Sequence, residues 1–219
     1  MHPRILRVRW DTLRRMQPLI VGLGGSLGTP STSLAALRVA IDASASAGAR
    51  TQVIDLRELN LPMYVPGTPP PDAVRRMCDA VYESDGMIWS SPLYHGTISG
   101  AFKNALDWFQ MLSERKPAYL TDKVVGLIAT AGGTQGLQAV NTMEFIVRAL
   151  RGWAVPLVIP IAQAWKVFDR EGHTTDNAVC KQLKALGQEV ARAATHFAQH
   201  EMTTPAAEEA EQKQERGGS

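Results

Sequence analysis

The sequence predicts an α/β fold, a doubly wound five-stranded parallel sheet with helices on both faces. From Pro18 onward, short apolar runs alternate with segments of helical spacing, as expected when crossover helices join parallel strands. The strand segments are apolar throughout, which is typical of strands buried on both faces. Three of them are followed by loops rich in glycine and hydroxyl side chains. Ligands of such sheets bind at the carboxyl ends of the strands, so these loops form the candidate site.

The first half of the alternation contains two strands and two helices. Leu19–Gly25 is a continuous apolar run and predicts the first strand, and apolar residues at helical spacing predict a helix over Ser33–Ala47. Thr51–Leu56 is a second short strand. A proline-rich loop, Leu61–Pro71, then separates this strand from a helix over Asp72–Ser84.

The second half repeats the same alternation. Each strand is a short apolar run, and each helix carries apolar residues at intervals of three or four positions. The predicted strands and helices are, in alternating order, Gly86–Pro92, Ile98–Leu112, Lys123–Thr130, Leu137–Leu150, Ala154–Pro160 and Asp176–His200.

The composition is that of an ordinary globular protein. Of the 219 residues, 45% are hydrophobic and 20% are charged. No apolar run approaches the roughly 20 residues that a membrane span needs, and the first residues lack the apolar middle of a secretory signal. Cys78 and Cys180 fit neither a disulfide framework nor a metal-ligand spacing. We therefore expect a cytoplasmic protein with no membrane segment and no metal.

Charge is distributed unevenly between the two ends of the chain. Residues 1–17 form a basic extension, and residues 201–219 form an acidic tail that lacks an apolar period and is expected to be disordered. The domain itself is expected to span residues 18–200. A basic arm can bind nucleic acid, but no second basic cluster or aromatic RNA-binding motif accompanies it. A solvated extension or an oligomer contact is the favoured interpretation.

The loop after the first strand, GGSLGTPSTS, has the donors that a phosphate monoester requires. It is not a dinucleotide-binding turn, because Leu27 stands at the third glycine position, and no Gly-Lys-Ser/Thr triplet of a Walker loop occurs. Its hydroxyls lie at the start of a helix whose free amides and dipole favour an anion. They belong to Ser26, Thr29, Ser31, Thr32 and Ser33. The alternative, a plain helix cap, needs only one such side chain.

The loops after the third and fourth strands suit a flat heteroaromatic ring. SSPLYHGTISG offers an apolar and aromatic wall, and its backbone amides can point at ring heteroatoms. TAGGTQG is a backbone almost free of side chains, which a ring edge can approach closely. Each loop alone could be a tight turn. Together with a phosphate loop they predict a site for flavin mononucleotide (FMN).

These motifs resemble those of the flavodoxin-like NAD(P)H-dependent FMN reductases, over about residues 18–200. The family's pattern is close to Pro-x-Tyr-x-x-x-x-Ser/Pro-Gly-x-x-Lys-x-x-x-Asp. Its positions are occupied here by Pro92, Tyr94, Ser99, Gly100, Lys103 and Asp107. The first loop is similar to that of reductases that supply reduced flavin to two-component monooxygenases, for instance alkanesulfonate systems. Quinone, azo and chromate reductases and ArsH-type proteins share the scaffold.

The resemblance implies a flavodoxin-like fold and a place for FMN. The first loop would hold the phosphate, and the second would wrap the isoalloxazine, with the amides near His95 and Gly96 at its N5/O4 edge. The third loop would line the pyrimidine side. The predicted cofactor-binding residues are Ser26, Leu27, Ser31, Thr32, Ser33, Pro92, Leu93, Tyr94, His95, Gly96, Thr130, Ala131, Gly132 and Gly133. No catalytic side chain is predicted, because the flavin itself carries out hydride transfer.

The chain departs from the family at Gly28, where many members carry an arginine. How the phosphate dianion is neutralised is therefore left open. Asp55, at the end of the second strand, would be the ribose ligand of a dinucleotide-binding fold. The missing third glycine disfavours that role.

The helix over Ile98–Leu112 lies at a dimer contact in the family. Its apolar residues Phe102, Leu106 and Phe109 are consistent with that use, and with the proline-rich loop they predict a homodimer or a homotetramer. Lys103 and Asp107 are four positions apart and can form an ion pair on the helix surface.

The predicted function is an FMN-dependent NAD(P)H oxidoreductase, with NADPH or NADH as the electron donor. It would pass a hydride from the nicotinamide to flavin N5 and on to free flavin or another small-molecule acceptor, with a flavin-dependent monooxygenase as a further partner. Neither nucleic acid nor a membrane is expected as a partner. The alternatives are a quinone, azo or chromate reductase on the same site, a non-catalytic FMN electron carrier and a flavin-free binding module. The basic net charge and the long apolar helix disfavour the carrier.

Overall fold

The computed structural model describes residues 17–201. The predicted basic extension and the predicted acidic tail therefore lie outside the described residues, apart from Gln17 and Glu201 at their inner edges. The predicted domain boundaries, at residues 18 and 200, fall inside the described range. No helix in that range is long and apolar enough to cross a bilayer.

The sheet contains five parallel strands, as predicted. They are β1 (Leu19–Gly24), β2 (Arg50–Asp55), β3 (Gly86–Tyr94), β5 (Val124–Thr130) and β6 (Trp153–Ile161), and β4 (Thr97–Ile98) lies between β3 and β5 in the chain. The order across the sheet is β2-β1-β3-β5-β6, and β4 pairs antiparallel with the end of β3. The sequence did not predict β4, because two residues are too few to show alternation.

Helices connect the strands at nearly the predicted bounds. They are α1 (Thr32–Ser46), α2 (Leu56–Leu59), α3 (Asp72–Glu83), α4 (Gly100–Asp107), α5 (Gly136–Ala149), α6 (Ala164–Val167) and α7 (Asn177–Glu201). A 3₁₀ helix, Trp108–Leu112, continues α4, so the predicted helix over Ile98–Leu112 is two shorter helical pieces. The single-turn helices α2 and α6 were not predicted, because one turn is too short to show a period.

Two hydrophobic cores lie on opposite faces of the sheet, because alternate residues of a strand point to opposite sides. On β1, Ile20 belongs to one core, and Val21 and Leu23 belong to the other. Helices α1 and α7 complete the first core, and α3, α4 and α5 complete the second. The molecule is thus a doubly wound α/β sheet, as the sequence predicts.

Helices α1 and α7 pack against each other at Gly187. A Cβ atom added there would lie 2.0 Å from the carbonyl oxygen of Ala40, so only glycine permits this approach. The Ser44 hydroxyl donates a 2.8 Å hydrogen bond to the Gly187 carbonyl across the same contact. This contact fixes the position of α1, and with it the loop that precedes α1, relative to α7.

The apolar residues of α4 and its 3₁₀ extension do not face outward. Phe102, Leu106 and Phe109 are all buried within the second core. Their use as an exposed dimer contact is therefore wrong, because the sequence shows an apolar face but not the direction in which it points. Lys103 and Asp107 form the predicted ion pair on the exposed side of α4.

Candidate functional site

The carboxyl ends of three strands bring the predicted loops together. Strand β1 lies between β2 and β3, and Gly24 at its end is opposite both Asp55 and Ser90. Pro92 of β3 is opposite Thr130, the last residue of β5. The chain leaves β1 toward β2 on one side and reaches β3 on the other. This is the switch point of strand order at which doubly wound sheets bind ligands, and flavodoxins of the same order hold FMN there.

The first loop runs from Gly25 to Ser31 and ends at the start of α1. Ser31 is the N-cap of α1, and its hydroxyl accepts a 3.1 Å hydrogen bond from the Leu34 amide. Ser26 is nearly buried and accepts a 3.2 Å hydrogen bond from the Gly28 amide. Leu27, between them, is exposed. The first amides of a helix have no partner within the helix, so this end of α1 presents donors to the loop.

Ser33 is placed differently from the other loop hydroxyls. Its side chain is buried, and its hydroxyl lies 2.6 Å from the hydroxyl of Thr130. Its carbonyl accepts a 2.8 Å hydrogen bond from the Ser90 hydroxyl. Strands β3 and β5 are therefore tied to the first turn of α1 by these two side chains. In this arrangement Ser33 and Thr130 stabilise the floor of the loop.

The start of the loop lies directly against α4. The Gly25 amide donates a 2.8 Å hydrogen bond to the Ser90 carbonyl, and the Ser99 hydroxyl donates to the Gly25 carbonyl. A Cβ atom on Gly25 would lie 2.7 Å from the ring of Phe102. A larger residue at position 25 would therefore move the first loop away from α4.

The second loop is a hairpin between β3 and β4. His95 has φ 50° and Gly96 has φ 85°, and this pair of left-handed residues turns the chain back sharply. The Ser91 hydroxyl accepts a 3.1 Å hydrogen bond from the Ser99 amide and closes the base of the hairpin. Tyr94, His95 and Gly96 are exposed, while Pro92 is buried. The hairpin thus presents its tip, including the backbone at Gly96, to the open side of the site.

The third loop is fixed to the end of β6. The Ala131 amide donates to the Ile161 carbonyl at 2.9 Å, and the Gln163 amide donates to the Gly133 carbonyl at 2.9 Å. Gly132 and Gly133 are exposed, and a Cβ atom on either would have no neighbour within 4 Å among the described residues. This loop therefore offers open backbone, as predicted.

Arg57, which follows β2, joins the site although sequence reasoning missed it. Its Nη1 atom donates to the Thr29 hydroxyl at 3.2 Å, and its Nη2 atom donates to Asp55 at 2.6 Å. Its position in the sequence could have indicated this role. Because β2 neighbours β1, residues just beyond the end of β2 lie beside the first loop. Asp55 also accepts a hydrogen bond from the Arg57 amide and caps α2.

The Asp55 carboxylate is held in its charged form. Burial alone raises the pKa of Asp55, but hydrogen bonds from Arg57 and the charges of Arg57 and Arg38 act against burial and bring that pKa below its ordinary value. Two guanidinium groups therefore act on one carboxylate beside the first loop.

Two open cavities flank the first loop. One, of about 620 Å³, lies between the loop, the side of α1 and the hairpin of residues 168–174, and Thr29, Ser31, Thr32, Arg38 and Arg57 are among its lining residues. The other, of about 470 Å³, lies between Leu27, α2 and the first residues of α4. The exposed side of Leu27 faces this second, largely apolar cavity.

The donors at the first loop fit the phosphate of FMN. They are hydroxyls, unpaired helix amides and a guanidinium, and a phosphate monoester accepts hydrogen bonds from all three. The residues around the hairpin and the third loop are backbone and apolar groups, which suit a flat ring. Ser26, Ser31, Thr32, Pro92, Tyr94–Gly96 and Ala131–Gly133 are therefore brought to one edge of the sheet, and Ser33 and Thr130 lie beneath them.

The chain is similar to known proteins along most of its length. Residues 18–166 match the family model described as NADPH-dependent FMN reductase. The chain is 31% identical over 144 residues to the NADPH-dependent FMN reductase ArsH of Acidithiobacillus ferrooxidans, which covers 65% of this chain and 59% of that protein. It is 30% identical over 198 residues to the NADPH:quinone oxidoreductase of Arabidopsis thaliana, covering 80% of this chain and 92% of the relative.

A solved structure shares the fold. The flavoenzyme NAD(P)H:(acceptor) oxidoreductase FerB of Paracoccus denitrificans superposes with a TM-score of 0.63 at 20% sequence identity, over 84% of this chain and 98% of that one. At this identity the likeness establishes the flavodoxin-like α/β architecture and nothing finer.

Proposed function

The chain belongs to the NADPH-dependent FMN reductase family, and on that premise we propose that it is an FMN-dependent NAD(P)H oxidoreductase. The family assignment confirms the resemblance seen in the sequence. One observation in the fold supports the proposal: the three loops predicted to bind phosphate and ring converge on one edge of the sheet, at the switch point between β1 and β3.

Different residues at this edge of the sheet would bind different parts of FMN. Ser26, Ser31 and Thr32, with the amides at the start of α1, would bind the phosphate. The backbone of the hairpin at His95 and Gly96 and the open backbone at Gly132 and Gly133 would border the ring. FMN, when bound, supplies the redox chemistry by accepting a hydride from reduced nicotinamide and delivering electrons to an acceptor.

The protein's part in catalysis is positioning. No side chain of the hairpin tip need act as an acid or base for hydride transfer, which depends on stacking and orientation of two rings. The exposed tip formed by Tyr94, His95 and Gly96 leaves one side of the site accessible to a nicotinamide and then to an acceptor.

Quinone is the second candidate for the acceptor, beside free flavin. The observation in its favour is the Arabidopsis thaliana relative described as an NADPH:quinone oxidoreductase, which aligns over 92% of its own length. A partner monooxygenase that receives reduced flavin is the corresponding proposal for free FMN as the acceptor.

A homodimer remains part of the proposal, through the proline-rich loop that the sequence indicated and without the apolar residues of α4. Met63 and Val65 of the proline-rich loop and Leu27 of the first loop are large apolar side chains exposed in the single chain, Met63 by 75%. Covering them would bury apolar surface beside the site. Light scattering that shows a monomer at micromolar concentration would remove this proposal.

The remaining proposals concern domain limits and location. We propose one domain over residues 18–200, as its two cores share the strands of one sheet and together extend from β1 to α7. A cytoplasmic location is proposed because reduced nicotinamides are supplied there.

A spectroscopic titration tests the proposed function. The purified protein is mixed with FMN, the quenching of flavin fluorescence is followed, and NADPH or NADH is added without oxygen. Bleaching of the flavin absorption band, at a rate that depends on the protein, is the expected result. A protein that binds neither FMN nor FAD and that oxidises no NAD(P)H with added FMN would contradict the proposal. Bound FMN that neither NADPH nor NADH reduces would indicate the electron carrier instead.

A further inference from the structure

The first loop contains no positive charge to match the phosphate that it is proposed to bind. Residues 25–33 carry hydroxyls, glycines and apolar side chains, and none of them is basic. A phosphate monoester carries a charge of about −1.5 to −2 at neutral pH. Its cation must come from another part of the fold.

Arg57 reaches the loop from the neighbouring strand. Its Nη1 atom donates to the Thr29 hydroxyl at 3.2 Å, and its remaining nitrogens are held by Asp55 in a two-pronged contact. The contact with Asp55 fixes the plane of the guanidinium, so one edge of the group is kept pointing at the loop.

The charges around Arg57 are of both signs. Arg38, on the first turns of α1, acts electrostatically on Asp55, and Glu58 acts on Arg57 in addition to Asp55. Arg38 and Arg57 line the same cavity as Thr29, Ser31 and Thr32. Three carboxylates line that cavity too. Asp42 is about 15 Å along α1 from Thr32 at the rise of an α-helix, and Asp169 and Glu171 lie on the hairpin of residues 168–174.

We propose that Arg57 supplies, from outside the loop, the cation that binds the FMN phosphate, and that it makes the site selective for FMN over flavins without a phosphate. This inference rests on the proposed function and adds a binding residue to it. Asp55 is the positioning residue that holds Arg57 in place.

Titration of apo-protein with FMN and with riboflavin, which lacks the phosphate, tests the assignment. Arg57→Gln is expected to lower the affinity for FMN by about tenfold or more and to keep the affinity for riboflavin within about twofold of the wild-type value. Arg50→Gln removes the same charge at the opposite end of β2 and is the matched control. It should change the affinity for neither ligand. Thermal unfolding of each apo-variant reports whether it is folded.

Two double variants separate a direct role from a structural one. In Asp55→Asn/Arg57→Gln both charges are removed, so a residue that served only to neutralise Asp55 would no longer matter and FMN affinity would return. If Arg57 binds the phosphate directly, as proposed, FMN binding stays weak in this double variant. In Gly28→Arg/Arg57→Gln the cation is supplied from the loop, and FMN affinity is expected to recover. A Cβ atom at Gly28 has no neighbour closer than 3.6 Å, so a side chain can begin there without a clash.

Asp55→Asn alone keeps the test decisive should Arg57→Gln fail to fold. Asparagine can still cap α2, but it no longer holds the guanidinium in a charged two-pronged contact, so FMN should bind more weakly while riboflavin binding does not change. Equal loss of FMN and riboflavin in Arg57→Gln, recovery in the Asp55→Asn/Arg57→Gln variant, or unchanged FMN affinity in Arg57→Gln would each overturn the proposal. Wild-type protein that binds neither flavin would instead overturn the proposed function, before any variant is compared.

Discussion

The hydroxyl of Ser33 lies 2.6 Å from the hydroxyl of Thr130, which is 97 residues further along the chain. Both side chains are buried. The bond joins the first turn of α1 to the end of β5, so two of the three loops of the site share one fixed point. The Ser33 hydroxyl, which the sequence predicts to bind the phosphate, is therefore hydrogen-bonded within the protein instead.

Breaking this pair should lower stability in a way that depends on which partner is left. Thr130→Val keeps the shape of the side chain and leaves the buried Ser33 hydroxyl without its partner, which should lower the free energy of unfolding by about 1–3 kcal/mol. Adding Ser33→Ala removes the unsatisfied group, so the double variant should be more stable than Thr130→Val. Urea unfolding of the apo-proteins measures this, and strictly additive losses would mean that the two hydroxyls are not coupled.

The strands and the site loops could be predicted because their signals are local. Leu19–Gly24 and Val124–Thr130 are continuous apolar runs, and the unusual loops follow such runs directly. What could not be predicted depends on contacts between distant segments. The pairing of Ser33 with Thr130 is one example, and the direction of the apolar face of α4 is another, because a helix with an apolar face can be turned toward its own core or toward a partner.

The role of Arg57 could be predicted only in part. Its place beside the first loop follows from the strand order β2-β1-β3, which a switch-point argument provides. Its hydrogen bond to Thr29 and its two-pronged contact with Asp55 depend on side-chain geometry that no spacing in the sequence reveals.

The close contact of α1 with α7 gives a stability prediction. Gly187→Ala would place a Cβ atom 2.0 Å from the Ala40 carbonyl oxygen, so the helices must separate. We expect a loss of about 1–3 kcal/mol or more in the free energy of unfolding. Gly100→Ala is the control, since a Cβ atom there has no neighbour within 4 Å among the described residues. Two variants of equal stability would show that α7 can shift at no cost.

The ion pair of Asp55 with Arg57 predicts a dependence of stability on pH. The pKa of Asp55 is lowered in the folded state, so its contribution is present above the pKa of the unfolded state and is lost as the pH falls through the folded-state pKa. Wild type and Asp55→Asn should therefore differ by a constant amount from neutral pH down to about pH 5 and converge below about pH 4. Denaturant unfolding across this range measures the difference. A gap that widens on acidification would mean that the sign is wrong.

The two cysteines should react at very different rates. Burial raises the pKa of the Cys78 thiol to about 12, whereas Cys180 is only partly buried. Because the thiolate is the reactive form, a disulfide reagent at neutral pH should titrate one thiol in the native protein and a second only after unfolding. Cys180→Ser should abolish the native reaction. Rapid reaction of both thiols in the folded wild type would contradict the buried position of Cys78.

Ser31 carries two roles that a single pair of substitutions can separate. Its hydroxyl oxygen accepts a hydrogen bond from the Leu34 amide and caps α1, while the hydroxyl proton is still available to a phosphate oxygen. Ser31→Ala should lower the free energy of unfolding by about 1 kcal/mol through the lost cap, and weaken FMN by about tenfold through a lost charge-assisted hydrogen bond.

Ser31→Asp keeps the cap, because aspartate is as good an N-cap as serine, and adds a negative charge that favours the helix N-terminus. The apo-protein should therefore be at least as stable as wild type. The same carboxylate would repel a phosphate dianion, so FMN should bind more weakly than to Ser31→Ala, and riboflavin should bind as it does to wild type. Fluorescence titrations with the two flavins measure both effects. Should FMN bind Ser31→Asp as tightly as wild type, the phosphate does not lie at the start of α1, and Ser31 serves only as a helix cap.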